Sequence, residues 1–193
     1  MTNKHQDLRI SDYYLKPARD DVQPIILASV LPYNDEIKKI LESSAFKLLG
    51  YIGAQYPSLN SEEKALVKAK PIDAAITFYN AMIAESKAEK LYPNSAENGK
   101  SDAFRHYVWA GLLTRDLGES TAREFLTAHE LNPKQPVMEK EMDMFNNDQG
   151  IRTARGLLEK RSFTDKEFFD TAISEIKSGN LKVLNYDDKQ KSY

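Results

Sequence analysis

The sequence contains no cysteine among its 193 residues, and this absence excludes several kinds of chemistry at once. Disulfide bonds, thiolate catalysis and cysteine-bound zinc or iron–sulfur clusters all require that residue. Any metal would have to be held by nitrogen and oxygen ligands. The chain is also indifferent to redox conditions, so we expect it to work equally well in the cytosol or in a periplasm.

Long apolar runs are missing as well. No segment reaches the roughly 18 apolar residues that a membrane-spanning helix needs. The first residues, MTNKHQDLRISDYY, lack the apolar centre of a signal peptide. We therefore expect no transmembrane segment and a protein that is cytoplasmic as synthesised.

The chain has no excess of basic charge. Its 27 lysines and arginines and 29 acidic residues give a net charge of -2. Proteins that bind along phosphate backbones generally carry a basic excess, so the charge does not favour nucleic acid as a partner. With 41% hydrophobic residues, the chain can bury one sizeable core, which favours a single domain.

What is present is a succession of helical patterns, separated by glycine, proline and asparagine. The predicted helices run over about residues 34–50, 61–69, 71–92, 101–117, 120–131, 137–160 and 164–178. The sequence therefore predicts an all-α, single-domain bundle of about six to seven helices. Residues 181–186 (LKVLNY) are predicted to form one short C-terminal strand or an extended packing segment.

The predicted organisation has three parts. Residues 1–33 form an N-terminal extension, 34–186 the helical domain and 187–193 a tail. Within the domain, residues 98–154 carry the densest polar motifs. Polar groups at helix-core positions are costly to bury, so they indicate a functional site more often than a scaffold.

The best-defined helix boundary lies at Thr164. Thr164 and Glu167 have the spacing of a capping box, and Phe163 and Phe168 have that of a hydrophobic staple. Gly179 stands where a C-terminal stop belongs.

The first polar motif, SDAFRH, places four side chains on one helix face. Asp102, Arg105, His106 and Trp109 follow one another at i, i+3, i+4 and i+7. In one interpretation, Asp102 fixes the tautomer of His106, which acts as a general base or a metal ligand. In the other, the same residues form a network that only locks the helix to its neighbours.

The second motif is the pair His129 and Glu130. His129 falls on an apolar stripe, so we expect its ring to point toward the core, where it would need a polar partner. Glu130 is either a proton shuttle or an ordinary solvated residue near a helix end. The pair is not a zinc-protease motif, because no second histidine follows one turn later.

The third motif, MDMFNNDQG, places Asp143, Asn146, Asn147 and Gly150 on one stripe. Asparagine and aspartate are poor residues for a helix interior, so something must compensate for their cost. Gly150 leaves room for a neighbouring backbone or a ligand. The stripe is either a metal- or substrate-binding surface or a frayed, solvent-facing helix.

Together the three motifs resemble an uncharacterised helical domain family (DUF6973) of bacterial proteins. Its members occur alone and at the ends of secreted, wall-associated and toxin-like proteins. The resemblance covers about residues 98–154, and family members frequently have an arginine directly after the motif glycine, where this chain has Ile151 before Arg152. The matching residues are Asp102, Ala103, Phe104, Arg105, His106, Trp109, His129, Glu130, Met142, Asp143, Asn146, Asn147 and Gly150.

The motifs and the resemblance predict a bacterial effector or toxin-like hydrolase, with a cell-envelope substrate such as peptidoglycan or a phospholipid favoured. The predicted catalytic residues are Asp102, His106, His129 and Glu130. The predicted substrate-binding residues are Arg105, Trp109, Asn146 and Asn147. A divalent zinc, manganese or iron ion would be held by Asp102, His106, His129 and Asp143.

Two alternatives are open. The polar motifs could be a buried structural network in a non-catalytic interaction module, or the site of a metal-dependent phosphodiesterase or nuclease. The resemblance also implies export by a contact-dependent secretion system and a neutralising immunity protein as partner.

Overall fold

The computed structural model describes residues 56–95 and 98–184. The predicted extension, the predicted helix at about 34–50 and the predicted tail lie outside these residues. The chain divides into two compact units, Met1–Leu59 and Asn60–Tyr193. A 3-10 helix, Tyr56–Ser58, belongs to the first unit, and the rest of the description concerns the second.

The second unit is all-α, as predicted. Among the described residues there are five helices and no strand, against six to seven predicted helices. The helices are α1 (Ser61–Ala69), α2 (Pro71–Leu91), α3 (Lys100–His129), α4 (Val137–Glu159) and α5 (Asp165–Lys177). No helix in the described ranges is long and apolar enough to cross a membrane.

Helix α3 is the central element, and α4, α2 and α5 pack around it. The sequence predicted two helices here, at about 101–117 and 120–131, and two helical segments are present, joined without a loop at a kink at Gly118. Gly118 has φ 77° and ψ 159°, outside the helical region, and helical geometry resumes directly after it. The predicted stop was therefore correctly placed, but it bends the helix instead of opening a loop.

The predicted boundary at Thr164 is confirmed. The Thr164 hydroxyl accepts a hydrogen bond from the Glu167 backbone N–H at 3.2 Å, and the rings of Phe163 and Phe168 stack at 5.2 Å. Gly179, with φ 72°, follows the end of α5. The same aromatic cluster reaches α3, where Phe168 stacks on Tyr107 at 5.4 Å.

The predicted strand at 181–186 is wrong for residues 181–184, and the other two positions lie outside the described residues. The backbone of this segment bonds to a side chain and a loop instead of a neighbouring strand. The Asn146 amide donates to the Lys182 carbonyl and accepts from the Lys182 N–H, both at 2.9 Å. The Leu184 N–H donates to the Asn98 carbonyl at 2.8 Å. The alternative prediction, an extended packing segment, fits these contacts.

A close approach of α4 to α3 positions the polar motifs against each other. A Cβ atom built on Gly150 would lie 2.1 Å from the carbonyl oxygen of Tyr107. Only glycine fits there, so the predicted room beside Gly150 is taken by a neighbouring backbone. This contact brings the buried face of α4, with Asp143 and Asn147, alongside His106.

Candidate functional site

The first turns of α3 supply a connected set of three charged or polar side chains. Arg105 donates to Asp102 Oδ1 from Nη2 at 2.5 Å and from Nε at 3.1 Å. The same Nη2 lies 2.7 Å from His106 Nε2. Because a guanidinium can only donate, Nε2 is the accepting nitrogen and we assign the imidazole proton to Nδ1. The helical spacing of the first motif therefore predicted this set correctly.

Helix α4 places Asp143 close to the same nitrogen of His106. Asp143 Oδ1 lies 3.3 Å from His106 Nε2, and Asp102 Oδ1 lies 3.5 Å from that nitrogen. The second oxygen of Asp143 accepts a hydrogen bond from Gln135 Nε2 at 2.7 Å. Oδ1 is buried and makes no hydrogen bond within the described part of the chain.

Glu130 lies on the opposite side of the His106 ring. Its Oε1 is 3.7 Å from His106 Nδ1 and accepts a hydrogen bond from the Asn147 side chain at 3.3 Å. Glu130 is only 2% exposed, so the interpretation of it as a solvated helix-end residue is wrong. It immediately follows α3, and its backbone N–H bonds back to the Leu126 carbonyl, which turns the side chain inward.

His129 lies beside this cluster and is bound by a residue from the start of the unit. Its Nδ1 lies 2.7 Å from Glu63 Oε1 of α1. Its ring meets the edge of Trp109 at 5.0 Å and lies 6.1 Å from the His106 ring, centroid to centroid. The side chain is 38% exposed, so His129 lies at the surface of the site and not in the core.

Burial controls the charges at the centre of the site. Desolvation, with the Arg105 and His129 charges, holds the pKa of His106 well below its usual value, so the imidazole is neutral. Desolvation, then the nearby Glu130 and Asp102 carboxylates, raises the pKa of Asp143 to about 7. Burial also raises the pKa of Glu130. A neutral imidazole beside a carboxyl that titrates near neutrality can exchange protons or bind a metal.

His106 and Asp143 line an open cleft of about 390 Å³. The cleft gives a ligand access to Asp102, His106, His129 and Asp143. It is lined by Glu85, Ala88, Glu89, Ser95, Asn98, Ser101, Asp102, Arg105, His106, His129, Gln135 and Asp143.

Asp102, His106 and Asp143 fit a divalent metal. Their ligand atoms all lie within 4.8 Å of one another. The separations from Nε2, 3.3 and 3.5 Å, match the distance of about 3.4 Å between two ligands of a tetrahedral ion at 2.0–2.2 Å. The hydrogen-bond capacity that Asp143 Oδ1 leaves unused also suits a ligand oxygen. His129 is not part of this converging set, and its Nδ1 contacts Glu63.

Two predicted substrate-binding residues contact other parts of the protein. Trp109 is 5% exposed and donates its indole N–H to the Thr77 carbonyl at 3.1 Å. Asn146 is fully buried and uses both ends of its amide on Lys182. These contacts indicate structural roles, so we do not include either residue in the substrate-binding set.

Three residues of the site were not identified from the sequence. Glu63 lies 66 positions before His129 on a short charged helix, and no local pattern links the two. Gln135 lies in a turn and Glu85 in the middle of α2, where an acidic residue usually faces solvent. The capping box that Glu63 forms with Asn60 was the one available signal for this helix, and it indicated only a helix start.

The fold and the site define an all-helical domain with a histidine–carboxylate cluster at the base of an acidic cleft. The family model for the domain of unknown function DUF6973 matches residues 64–180. The chain therefore belongs to this family, as the three motifs indicated, and the match extends well beyond the motif region on both sides. No curated protein and no solved structure matches the chain significantly.

Proposed function

We propose that the protein is a hydrolase that uses a divalent metal bound by Asp102, His106 and Asp143 to cleave an amide bond of a cell-envelope substrate. The observation that carries this proposal is the convergence of three buried ligand atoms within 4.8 Å at the floor of an open cleft. A mixed nitrogen and oxygen ligand set suits zinc, manganese or iron better than calcium.

The protein's own residues have separate roles in this proposal. A bound metal ion would lower the pKa of a coordinated water and polarise the scissile carbonyl. Glu130, whose Oε1 lies 3.7 Å from His106 Nδ1 behind the ring, favours the tautomer with the proton on Nδ1 through its charge. His129, oriented by Glu63, takes a proton from the water through its second ring nitrogen and returns it to the leaving amine. The water oxygen forms the new bond to the carbonyl carbon as the carbon–nitrogen bond breaks.

The charge of the cleft favours a neutral or cationic substrate. Four carboxyl residues, Glu85, Glu89, Asp102 and Asp143, line it together with one guanidinium, that of Arg105. A bound metal ion would offset the charges of Asp102 and Asp143, and the other two carboxyl residues, Glu85 and Glu89, still disfavour a phosphodiester, which carries a negative charge. Peptides of the bacterial cell wall, by contrast, carry amide bonds and free amino groups. This argument favours peptidoglycan over nucleic acid and over the head group of a phospholipid.

A purely structural network is the competing function. Such a network should be closed to solvent and fully hydrogen-bonded. The cluster instead borders a cleft, and His106 Nδ1, Glu130 Oε2 and Asp143 Oδ1 make no hydrogen bond in the ranges that the structure covers. These features support a ligand-binding role.

The test combines metal content, digestion and growth. The purified protein should contain close to one transition-metal ion and release peptides from purified peptidoglycan sacculi, and Asp143→Asn should lose both properties. Asp148→Asn, a more exposed carboxylate on the same helix, is the matched control and should retain both. Folded variants, checked by circular dichroism, are required in each case.

Expression in a bacterial host identifies the compartment of the substrate. Export to the periplasm should inhibit growth with the wild type but not with His106→Ala or His129→Ala. Toxicity confined to the cytoplasm would contradict the envelope substrate, and cleavage of nucleic acid would favour the phosphodiesterase. Absence of metal, digestion and toxicity, with variants that merely unfold at lower temperature, would favour the structural network.

A further inference from the structure

We propose that Arg105 is an internal competitor for the metal: its guanidinium occupies the metal position, and metal binding requires it to turn away toward Glu85. This inference rests on the proposed metal site and adds a means of regulating it. The site would be closed by its own arginine until a divalent ion is available.

The competition follows from shared atoms. Arg105 Nη2 lies 2.5 Å from Asp102 Oδ1 and 2.7 Å from His106 Nε2, and these are two of the three proposed ligand atoms. A neutral imidazole nitrogen has one lone pair, so His106 Nε2 can accept an N–H or bind a metal, but not both. The two states exclude each other at this nitrogen.

The cleft provides a second position for the guanidinium. Glu85 of α2 lines the same cleft as Arg105, and the Arg105 charge partly offsets the rise that burial imposes on the pKa of Glu85. The Arg105 side chain is 32% exposed, so it is not fixed by packing on all sides. Turning toward Glu85 keeps it paired with a carboxylate.

Removing the guanidinium should therefore strengthen metal binding. Its charge-assisted hydrogen bonds to Asp102 and His106 must break before the ion binds, which we expect to weaken binding by about 10- to 100-fold. Isothermal titration of Zn²⁺ and Mn²⁺ into the full, metal-free chain measures the effect. Arg105→Met should bind one ion about 10- to 100-fold more tightly than the wild type. Arg152→Met, which removes an exposed arginine from α4, should match the wild type.

A second substitution tests the alternative position at Glu85. Glu85→Gln should weaken metal binding severalfold in the wild-type background, because the displaced guanidinium loses its partner. In the Arg105→Met background the same substitution should have little effect. A simple loss of negative charge near the ion would weaken binding equally in both backgrounds, so the difference between the two isolates the arginine.

The outcomes separate this inference from the proposed function. If the wild type binds metal in a manner that Asp143→Asn abolishes, and folded Arg105→Met binds no more tightly, the competition is refuted and the metal site stands. If neither protein binds metal, both fail, and the digestion of sacculi in the presence of EDTA then tests a metal-free hydrolase. An equal effect of Glu85→Gln in both backgrounds would refute the second position.

Discussion

At the scale of single residues, His106 is surrounded by carboxylates and yet remains neutral. Asp102 and Asp143 lie on its Nε2 side and Glu130 on its Nδ1 side, at 3.3 to 3.7 Å. Burial disfavours the imidazolium, and the Arg105 guanidinium at 2.7 Å takes the place that a second proton would need. The lone pair on His106 Nε2 is therefore not protonated and is directed at a cation.

The raised pKa of Asp143 predicts a specific dependence of stability on pH. A carboxyl whose pKa rises on folding, from 3.8 to about 7, holds its proton more strongly in the folded state. Its contribution to stability is therefore present at low pH and is lost as the pH rises from about 4 to 7. His106 has the opposite effect. Because folding lowers its pKa, its contribution to the free energy of unfolding decreases as the pH falls below 6.5.

Asp143→Asn should isolate the carboxyl contribution. Between pH 4.5 and 7.5, the wild type should lose up to about 3 kcal/mol of unfolding free energy relative to this variant. Urea unfolding in EDTA at both pH values measures the difference. Asp148→Asn should follow the wild-type profile, and a D143N profile parallel to the wild type would show that Asp143 does not titrate in this range.

The contact between Glu63 and His129 gives a second prediction. Glu63→Ala removes the carboxylate that holds His129 Nδ1 at 2.7 Å, so the ring should change from one tautomer to a mixture. Nitrogen chemical shifts of the His129 side chain report the tautomer directly. Stability should fall by about 1–2 kcal/mol, because the Asn60 cap also loses its reciprocal bond.

The neighbouring residue provides the control for this experiment. Glu62→Ala removes an exposed carboxylate from the same helix turn and should leave the His129 shifts unchanged. An unchanged His129 spectrum in the folded Glu63 variant would contradict the positioning role of Glu63.

The residue scale also shows which parts of the site could be predicted. Asp102 and His106 are four residues apart on one helix, so their contact follows from helical geometry alone. Asn146 and Asn147 are adjacent in sequence but about 100° apart around α4, and they contact Lys182 and Glu130 respectively. Their residue type indicated a polar environment, but only the surrounding elements determine each partner.

At the scale of elements, the approach of α3 and α4 depends on one glycine. A methyl group on Gly150 would clash with the Tyr107 carbonyl oxygen, which is backbone and cannot move without shifting α3. Gly150→Ala should therefore destabilise the protein by about 2 kcal/mol or more, as overpacked sites do. Thermal unfolding followed by circular dichroism measures this loss.

Gly156 is the matched control on the same helix. A Cβ atom on Gly156 meets nothing within 4 Å, so Gly156→Ala should stabilise the protein by about 0.5–1 kcal/mol. If the two substitutions had equal effects, the close approach at Gly150 would not limit the packing of the helices.

The Asn146 contact with the C-terminal segment gives a further prediction. Asn146→Ala removes both bonds to Lys182, so the Lys182 N–H should exchange with solvent much faster. Metal affinity should stay at the wild-type value, because Asn146 does not line the cleft. Hydrogen exchange and calorimetric titration measure the two quantities. A large loss of metal binding in a folded Asn146→Ala protein would instead show that Asn146 contributes to the metal site.

Helix boundaries were the elements best predicted from the sequence, because capping is local chemistry. The Thr164 cap and the Pro71 start depend on residues within one turn and were placed correctly. The segment 181–184 was less well predicted, because its alternating apolar residues suit a strand, whereas its backbone partners are Asn146 and Asn98. Those partners are distant in sequence and leave no local signal.

At the scale of the whole molecule, the family match and the compact unit nearly coincide. The family model covers residues 64–180, and the compact unit begins at Asn60. Asn60 and Glu63 precede the match, but both contact the end of α3, at Ala128 and His129. A functional site that includes His129 therefore needs these residues as well.

A truncated chain tests this boundary. Residues 60–193 alone should unfold cooperatively and bind metal with the affinity of the full chain. A chain that begins at residue 66 should lose both the cap and the Glu63 contact, and the His129 shifts should change as in the Glu63→Ala variant. Failure of the longer fragment to fold would show that the first unit is needed for stability.

The fold class could be predicted at this scale, but the spatial arrangement of the site residues could not. Helical periodicity assigns each polar residue to a face, and all three motifs do contribute to one region. The angle between α3 and α4 brings Asp143 of α4 to Asp102 and His106 of α3. That angle depends on packing at Gly150 and Tyr107, which no single segment encodes.

The position of Arg105 determines which movement is needed to open the proposed metal site. Arg105 shares one helix turn with Asp102 and His106, so opening the cluster needs only rotation about side-chain bonds. Such rotations take place within nanoseconds, whereas domain hinges and lids move in microseconds to milliseconds. A site closed in this way would respond to metal concentration without the movement of a lid or a hinge.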